Sequence, residues 1–253
     1  QPCDMDSIMQ LARNKGIKVI EDAAHAFPAR YKNKIVGNIG DITCFSFYAT
    51  KSITTGEGGM AVTNSSKWAD RIRIMSLHGI SKDAWKRYTT LGKWDYKIIA
   101  PGFKYNMTDL SAALGNAQLR KVDFLWQRRE WIATEYNKTF KDFPHIIVPV
   151  QKNNIKHSWH LYVIKLNLEC LTINRDQFIE ELNNRGIGTS VHFIPLHIHP
   201  YYRKTYGYKP EDFPVAYEVS KKIISLPIYP KMTDENVARV IEGVIDVGKK
   251  HKR

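Results

Sequence analysis

The stretch DITCFSFYATKSITTGEGG, residues 41–59, decides the fold class of this chain. Its first seven residues are rich in β-branched and aromatic side chains, which favours a buried strand. Lys51 follows that strand, and Gly56, Gly58 and Gly59 then let the backbone come close to a ligand. In open α/β sheets, ligands bind outside the carboxyl ends of strands, so the pattern predicts an α/β fold with a site at this strand end.

Asp22 supplies a second candidate group at the end of a neighbouring strand, predicted over residues 17–21. A carboxylate there can hold a ring nitrogen protonated, and a lysine in a partly enclosed place can attack a carbonyl. Together Asp22 and Lys51 predict a Schiff-base site. The residues alone leave simpler explanations open, because Lys51 could be a surface lysine and Asp22 could simply cap the segment after its strand.

The composition is that of an ordinary soluble protein. Its 253 residues, 43% hydrophobic and 25% charged, suffice for one large domain or two of moderate size. No apolar run approaches the roughly 20 residues of a membrane span and no signal peptide leads the chain, so we expect a cytoplasmic location. Three cysteines without metal-ligand spacing predict reduced thiols, with Cys44 inside an apolar strand.

The net charge of +13 arises from 38 basic and 25 acidic side chains. The basic residues are spread along the chain, apart from a short run at residues 249–253, and this spread does not favour a nucleic-acid partner. A basic surface also suits anionic small molecules such as phosphates and nucleotides.

Hydrophobic periodicity predicts two α/β domains. The pattern changes within a long predicted helix, so we expect a large domain with a mostly parallel sheet over 1–125 and a small α/β domain over 126–253. A turn or small hairpin is predicted over 31–40. Helices are predicted at 4–15, 66–77, 108–139, 175–185, 213–224 and after Thr233, and strands at 17–21, 41–47, 59–63, 160–166 and 188–193.

Residues 79–105 are irregular and aromatic in sequence. Trp85, Tyr88, Trp94, Tyr96 and Tyr105 all fall within this segment. A long loop inside a compact domain is usually functional or part of an interface, so we expect one of these roles.

The histidines allow two interpretations. His25, three residues after Asp22, could contact a bound ring, although a lone histidine is most often a satisfied polar residue. His192, His197 and His199 suggest a metal at first sight. Their spacing is loose and two prolines intervene, so we expect no metal site and interpret this loop as facing a substrate.

Four ordered motifs resemble the DegT/StrS family of sugar-nucleotide aminotransferases. They are EDAAHA at 21–26, FSFYATK at 45–51, TTGEGGM at 54–60 and YNMTDL at 105–110. The later stretches HSWHLY at 157–162 and VHFIPLH at 191–197 are also similar to that family. The resemblance implies the aspartate-aminotransferase fold and pyridoxal 5'-phosphate as the cofactor.

The resemblance also assigns roles to individual residues. Lys51 would bond covalently to the cofactor, Asp22 would pair with its pyridinium nitrogen, and His25 would contact its ring. Ser46 would bind the cofactor phosphate, and Asn106 would reach the phosphate in the neighbouring subunit of a homodimer with shared sites. The nucleotide-linked sugar would lie near His160, His192, His197 and Tyr201.

The implied reaction is amino transfer from an amino acid, glutamate by expectation, to a ketosugar on a nucleotide. A sugar dehydratase of the same fold is an alternative, but such members replace the lysine with histidine, which Lys51 argues against. A truncated copy with a scaffolding role is another alternative. The family's upstream glycine-rich phosphate-binding turn has no match here, so we expect roughly 100 or more residues before Gln1 in the parent protein.

Overall fold

The computed structural model describes residues 1–81 and 96–253. These residues form two compact units. The first comprises Gln1–Phe124 and Asn153–Ser158, and the second comprises Leu125–Lys152 and Trp159–Arg253. The segment 153–158 therefore folds with the first unit, although it lies beyond residue 125. Trp85, Tyr88 and Trp94 of the aromatic segment lie outside the described residues.

The first unit begins with helix α1, and the residues at its two ends fix where it starts and stops. The Asp4 carboxylate accepts a hydrogen bond from the Ser7 amide, and Gly16 takes the left-handed conformation (φ 64°) that ends the helix. Ser65 caps α2 and Thr108 caps α3 in the same way. The elements are α1 (Met5–Lys15), β1 (Ile20–Asp22), β2 (Arg30–Tyr31), β3 (Lys34–Ile35), β4 (Ile42–Ser46), β5 (Gly59–Val62), α2 (Ser66–Ser76) and α3 (Asp109–Leu119).

The strands of the first unit form two small sheets. One has the order β1-β4-β5, in which β1 runs parallel and β5 antiparallel to β4. The other joins the hairpin β2–β3, which confirms the turn predicted there, to β7 (Ile155–Lys156). Among the strands that the structure describes, only β1 and β4 pair in parallel, so the expected mostly parallel sheet is not visible in these residues.

Strand β1 is shorter and more exposed than the sequence predicted. It begins at Ile20 instead of residue 17, and Ile20 is 68% exposed. Its apolar residues predicted a buried strand, but β1 pairs only with β4 among the described strands and so forms an edge of its sheet. Cys44 of β4 is likewise exposed, although its apolar neighbours predicted an interior position.

The long helix predicted over 108–139 is two helices. The first, α3, ends at Leu119, and the second, α4, spans Val122–Phe140. Leu110 at the start of α3 is 86% exposed, whereas Tyr136 near the end of α4 is fully buried. The first helix lies in the first unit and most of the second lies in the second unit, so the interpretation as one helix with a continuous apolar stripe was wrong.

The second unit is built around an antiparallel sheet of order β6-β8-β9. Its strands are β6 (Ile146–Ile147), β8 (Tyr162–Leu166) and β9 (Ile223–Leu226), and its remaining helices are α5 (Arg175–Asn184), α6 (Pro200–Tyr206), α7 (Pro214–Ser220) and α8 (Asp234–Lys250). Fully buried side chains from α4, α5, α8 and the sheet form its core: Tyr136, Phe140, Tyr162, Ile164, Leu166, Phe178, Leu182, Ile224, Val244 and Val247.

Two predicted elements of the second unit were wrong. The strand expected over 188–193 is reduced to a single bridge between Ser190 and Ser225. The helix expected to reach residue 224 ends at Ser220, because Ile223 and Ile224 belong to β9. Branched apolar residues favour a strand once a sheet edge is available, and β8 supplies that edge. No helix of the described residues is long and apolar enough to span a bilayer.

Candidate active site

The carboxyl ends of β1 and β4 define the candidate site. Asp22 is the last residue of β1 and stands opposite Cys44 in the parallel pairing. Ser46, the last residue of β4, lies two positions beyond Cys44. Since side chains alternate along a strand and paired residues share a face, Asp22, Cys44 and Ser46 lie on one face of the sheet. Asp22 and Cys44 are exposed and Ser46 is half-buried, so this face is open.

A local turn orients Asp22. Its Oδ1 accepts a hydrogen bond from the Ala24 amide at 3.0 Å, the pattern of an aspartate that stabilises the turn two residues on. The Ala23 amide donates to the Cys44 carbonyl at 2.8 Å, which extends the pairing one residue past β1. Within the described residues, the other carboxylate oxygen of Asp22 accepts no hydrogen bond, so that oxygen can accept a donor from a ligand.

Lys51 lies in a closed loop between β4 and β5. The Phe47 amide donates to the Gly58 carbonyl at 2.8 Å, and the Thr55 amide donates to the Phe47 carbonyl at 2.9 Å. Ile53 is 5% exposed and anchors the loop, while Lys51 itself is half-buried. Because β1 and β4 are parallel, this loop stands at the same sheet edge as Asp22.

The Lys51 amine is available for chemistry. Within residues 1–81 and 96–253, Lys51 has no ion pair, and its only recorded bond is from its own backbone amide to the Tyr48 carbonyl. A half-buried amine that no carboxylate holds is free to approach a carbonyl group of a ligand.

Two glycines let the loop return to the sheet. A Cβ at Gly58 would lie 2.4 Å from Thr55 Oγ1, and Gly58 has a φ of +157° that side chains rarely adopt. A Cβ at Gly59 would lie 2.8 Å from the Phe45 carbonyl oxygen. A larger residue at either position would displace the loop that carries Lys51, which explains the glycines that the sequence singled out.

His25 and Asn106 also belong to the first unit. His25 follows β1 by three residues, its ring is exposed, and its carbonyl accepts a 2.6 Å hydrogen bond from Ser158 Oγ. It therefore stands at the same sheet edge as Asp22. Asn106 is exposed just before α3 and accepts a hydrogen bond from Lys104 through its Oδ1.

The predicted substrate residues all belong to the second unit. His160 and His197 are buried, with 8% and 7% exposure, whereas Tyr201 is 65% exposed. His192 Nδ1 lies 2.8 Å from Ser225 Oγ. Among the residues that the structure describes, no three His, Cys, Asp or Glu side chains are arranged to hold a metal ion.

An aromatic row accompanies those residues and was missed in the sequence. Tyr202 stacks on Tyr206, Tyr206 on Tyr208, and Tyr208 meets Phe213 edge to face, with centroids 5.4–6.2 Å apart. Phe213 in turn lies 4.8 Å from the His197 ring. The density of tyrosines over 201–208 is the signal in the sequence from which this row could have been predicted.

Comparison with known proteins identifies a family for this arrangement. Residues 1–245 match the model described as the DegT/DnrJ/EryC1/StrS aminotransferase family. The chain is 56% identical to protein MJ1066 of Methanocaldococcus jannaschii over 96% of its length, and 50% identical to the spore coat polysaccharide biosynthesis protein SpsC of Bacillus subtilis over 98%. It spans 63% and 64% of those two relatives, less than two thirds of their length.

A solved structure gives the same result. The PMP-form of protein Spr1654 from Streptococcus pneumoniae matches with a TM-score of 0.89 and 34% identity, over 98% of this chain and 67% of that one. The match confirms the predicted α/β class and the aspartate-aminotransferase type of fold. It also agrees with the family that the motifs around Asp22 and Lys51 resemble.

Proposed function

This chain belongs to the DegT/DnrJ/EryC1/StrS aminotransferase family, and we propose that its protein transfers an amino group to a nucleotide-linked ketosugar. The amino donor would be an amino acid, and we propose glutamate. The observation that carries this proposal is the placement of Asp22, Ser46 and Lys51 at one sheet edge, with Asp22 and Ser46 on the same open face.

The donor set at this edge fits pyridoxal 5'-phosphate. The carboxylate of Asp22 suits a protonated ring nitrogen, the hydroxyl of Ser46 suits a phosphate, and the amine of Lys51 suits an aldehyde. Asp22 offers an open oxygen, and the Lys51 amine is in no ion pair within the described residues, so each group can serve. When bound, the cofactor supplies an electron-withdrawing ring that acidifies the α-carbon of the amino donor.

Each residue of the chain would have a distinct task. Asp22 would keep the ring nitrogen protonated through a charge-assisted hydrogen bond. His25 would contact the ring from the turn after β1. Lys51, once its amine is free, would act as the base that removes the proton from the donor α-carbon. The loop closed by Phe47 and Gly58 holds Lys51 at the sheet edge where that proton would be released.

The sugar substrate is supported by a relative and by charge. SpsC is named for spore coat polysaccharide biosynthesis, so we propose that this protein also serves the formation of aminosugars for a surface polysaccharide. A net charge of +13 favours an anionic, nucleotide-linked substrate. We propose that His160, His192, His197 and Tyr201 contact it. Three free cysteine thiols support a cytoplasmic location.

The decisive experiment replaces Lys51. Loaded with pyridoxal 5'-phosphate, the protein is expected to absorb at about 400–430 nm, and borohydride should remove that band by fixing the cofactor on Lys51. We expect Lys51→Ala to lose the band and to slow amino transfer by about a hundredfold to ten-thousandfold, because both the covalent link and the base are gone.

Lys67→Ala, which changes an exposed lysine of α2, is the matched control and should behave as wild type. An unchanged spectrum in Lys51→Ala would refute the assignment. A protein that takes up no cofactor at all would support the scaffolding alternative, and a deoxygenated product without nitrogen would support the dehydratase alternative.

We further propose a homodimer in which Asn106 reaches the cofactor phosphate of the neighbouring subunit. Exposed apolar side chains surround Asn106: Tyr105 is 74% exposed and stacks on Phe103, and Leu110 is 86% exposed. Such exposed apolar clusters are typical of protein interfaces. This supports an interface at Asn106, as a site shared between subunits requires.

Sedimentation tests the dimer. The protein is expected to sediment as a dimer, and Leu110→Asp to shift it toward monomer with loss of activity, since a buried unpaired charge opposes association. Leu11→Asp, at an exposed leucine of α1, is the matched control. A fully active wild-type monomer would contradict the proposal.

A further inference from the structure

The position of Asp22 depends on the register of a very short strand. β1 has three residues and pairs only with β4 among the described strands. A slip of one residue would turn every side chain of β1 to the opposite face of the sheet. Asp22 would then leave the face that it shares with Ser46. Something other than the few backbone bonds of β1 must therefore fix this register.

Glu21 supplies that contact from the reverse face. Its Oε1 accepts a hydrogen bond from Thr43 Oγ1 at 2.8 Å, and Thr43 is its register partner on β4. The same oxygen accepts the Gly40 amide at 2.7 Å. Thr43 is only 1% exposed, so its hydroxyl has little access to water and depends on Glu21. These bonds join β1 both to β4 and to the turn that enters β4.

The fit around Glu21 is close. A Cβ at Gly40 would lie 2.8 Å from Glu21 Oε1, so a side chain at this position would displace the carboxylate. A similar bond joins the residues that directly precede the two strands, because Oδ2 of Asp41, just before β4, accepts the amide of Val19, just before β1, at 2.8 Å. Two acidic side chains from opposite strands thus secure the same pairing.

We infer that Glu21 is a positioning residue that holds Asp22 in place for the cofactor. This inference rests on the proposed function, because it assumes that Asp22 meets the ring nitrogen. Glu21 points to the face opposite Asp22, so it acts through the strand and not by touching the ligand. The sequence alone assigns no role to Glu21.

A purely structural role for Glu21 is the competing explanation. It would lower stability in Glu21→Ala without any specific effect on cofactor affinity. A role through Asp22 predicts instead that the affinity depends on the hydrogen-bond acceptor at position 21. Glu21→Gln retains an oxygen that can accept from both Thr43 and Gly40, so it should rescue what Glu21→Ala loses.

Two measurements test the inference. In the cofactor-free protein, hydrogen exchange of the Ala23 amide, which donates to the Cys44 carbonyl, reports the register directly. Titration with pyridoxal 5'-phosphate, followed by absorbance, gives the dissociation constant. We expect Glu21→Ala to exchange faster at Ala23 and to bind about tenfold more weakly, as the loss of hydrogen bonds to a charged group implies. Glu21→Gln should remain near wild type in both.

Thr63→Val is the matched control. It removes a side chain bond of similar kind, from Thr63 Oγ1 to the Asp41 carbonyl at 2.7 Å, on the strand β5 side. It should leave cofactor affinity unchanged. If Glu21→Ala is too unstable to purify, Thr43→Val removes one of the two bonds to Glu21. It should show the same faster exchange and weaker cofactor binding to a smaller extent.

An Asp22→Asn background separates the two hypotheses. If Glu21 acts through Asp22, adding Glu21→Ala to Asp22→Asn should weaken cofactor binding no further. Additive losses, or wild-type affinity in Glu21→Ala and Thr43→Val, would overturn the inference while leaving the proposed function intact. Wild-type affinity in Asp22→Asn itself would instead contradict the proposed role of Asp22.

Discussion

The two units of the chain differ in how their described residues are packed. In the second unit a single cluster of buried side chains joins helices α4, α5 and α8 to the sheet, and Tyr162, Ile164 and Phe178 within it are fully buried. In the described part of the first unit, the cluster around the candidate site contains only Ala23, Ala29 and Val36, with Ala26 and Phe45 packed against it.

The difference suggests where each unit obtains its order. Burial of large apolar groups stabilises the second unit through packing. Around the candidate site, hydrogen bonds that the carboxylates of Glu21 and Asp41 accept, one of them from Thr43, take a larger share in holding the structure. Polar groups that are fixed by directed bonds can leave one sheet face open for a ligand, which a packed core cannot do.

Matched isoleucines can break this comparison. Ile164 is fully buried in β8, and Ile53 is 5% exposed beneath the Lys51 loop. We expect Ile164→Ala to lower the free energy of unfolding by about 3–5 kcal/mol, and Ile53→Ala by less, because the loop can collapse into the space. Ile53→Ala should instead weaken cofactor binding by displacing Lys51. Urea denaturation and cofactor titration measure these effects. Equal losses of stability in the two variants would argue against this difference in packing between the two units.

Arg129 sharpens the comparison, since it is a buried charge within the packed unit. It is 5% exposed, and its Nη1 donates to the carbonyls of Trp159, His160 and Ile228 at 3.1, 3.3 and 2.7 Å. Burial lowers the pKa of the guanidinium to about 10. The cation therefore ties α4 to the segments that flank β8 and β9, in place of a carboxylate partner.

Arg129→Met should lower the free energy of unfolding by about 2–4 kcal/mol. The loss of a charged donor to buried carbonyls is expected to outweigh the gain from no longer burying a cation. Arg129→Lys keeps the charge with fewer donors and should lose less. Urea denaturation followed by circular dichroism gives both values. A variant as stable as wild type would mean that apolar packing alone holds these segments.

The sequence predicted locally determined features better than the periphery of the fold. The cofactor roles of Asp22 and Lys51 stay predictions, although the end of β1 and the loop after β4 lie at one sheet edge. The turn or hairpin over 31–40 and the helices over 66–77 and after Thr233 are confirmed, since local hydrogen bonds in the hairpin and at the helix starts determine them. These signals are short in range and do not depend on the rest of the chain.

Tertiary packing explains what the sequence did not predict. The helical course is broken between Leu119 and Val122, and α3 lies in the first unit whereas most of α4 lies in the second. The strand predicted over 188–193 keeps only one bridge, from Ser190 to Ser225 on β9, instead of a paired ladder. The role of Glu21 required the register with Thr43, which no local pattern reveals.

Glu181 provides the smallest test, an exposed charge cluster on the packed unit. Its carboxylate accepts from Lys250 Nζ and from Arg185 Nη1, both at 2.7 Å, and so joins α5 to the end of α8. Those two hydrogen bonds, with Lys250 the larger cause, lower the pKa of Glu181 from 4.5 to about 2. The folded state therefore favours the ionised form, and its contribution to stability is present above pH 4.5 and lost as the pH falls toward 2.

Glu181→Gln should accordingly lower Tm slightly at pH 7, and the difference from wild type should shrink between pH 4.5 and 2 as Glu181 of the wild type is protonated. Calorimetric scans across that range measure it. Glu180→Gln, one position earlier on α5 and without an ion pair in the described part of the chain, should show no such trend. High salt should also reduce the effect, because exposed charge pairs are screened. If the difference in Tm between Glu181→Gln and wild type does not change with pH, Glu181 stabilises the contact of α5 with α8 through packing of its side chain. Packing would then dominate over charge at the surface of the second unit as well as in its core.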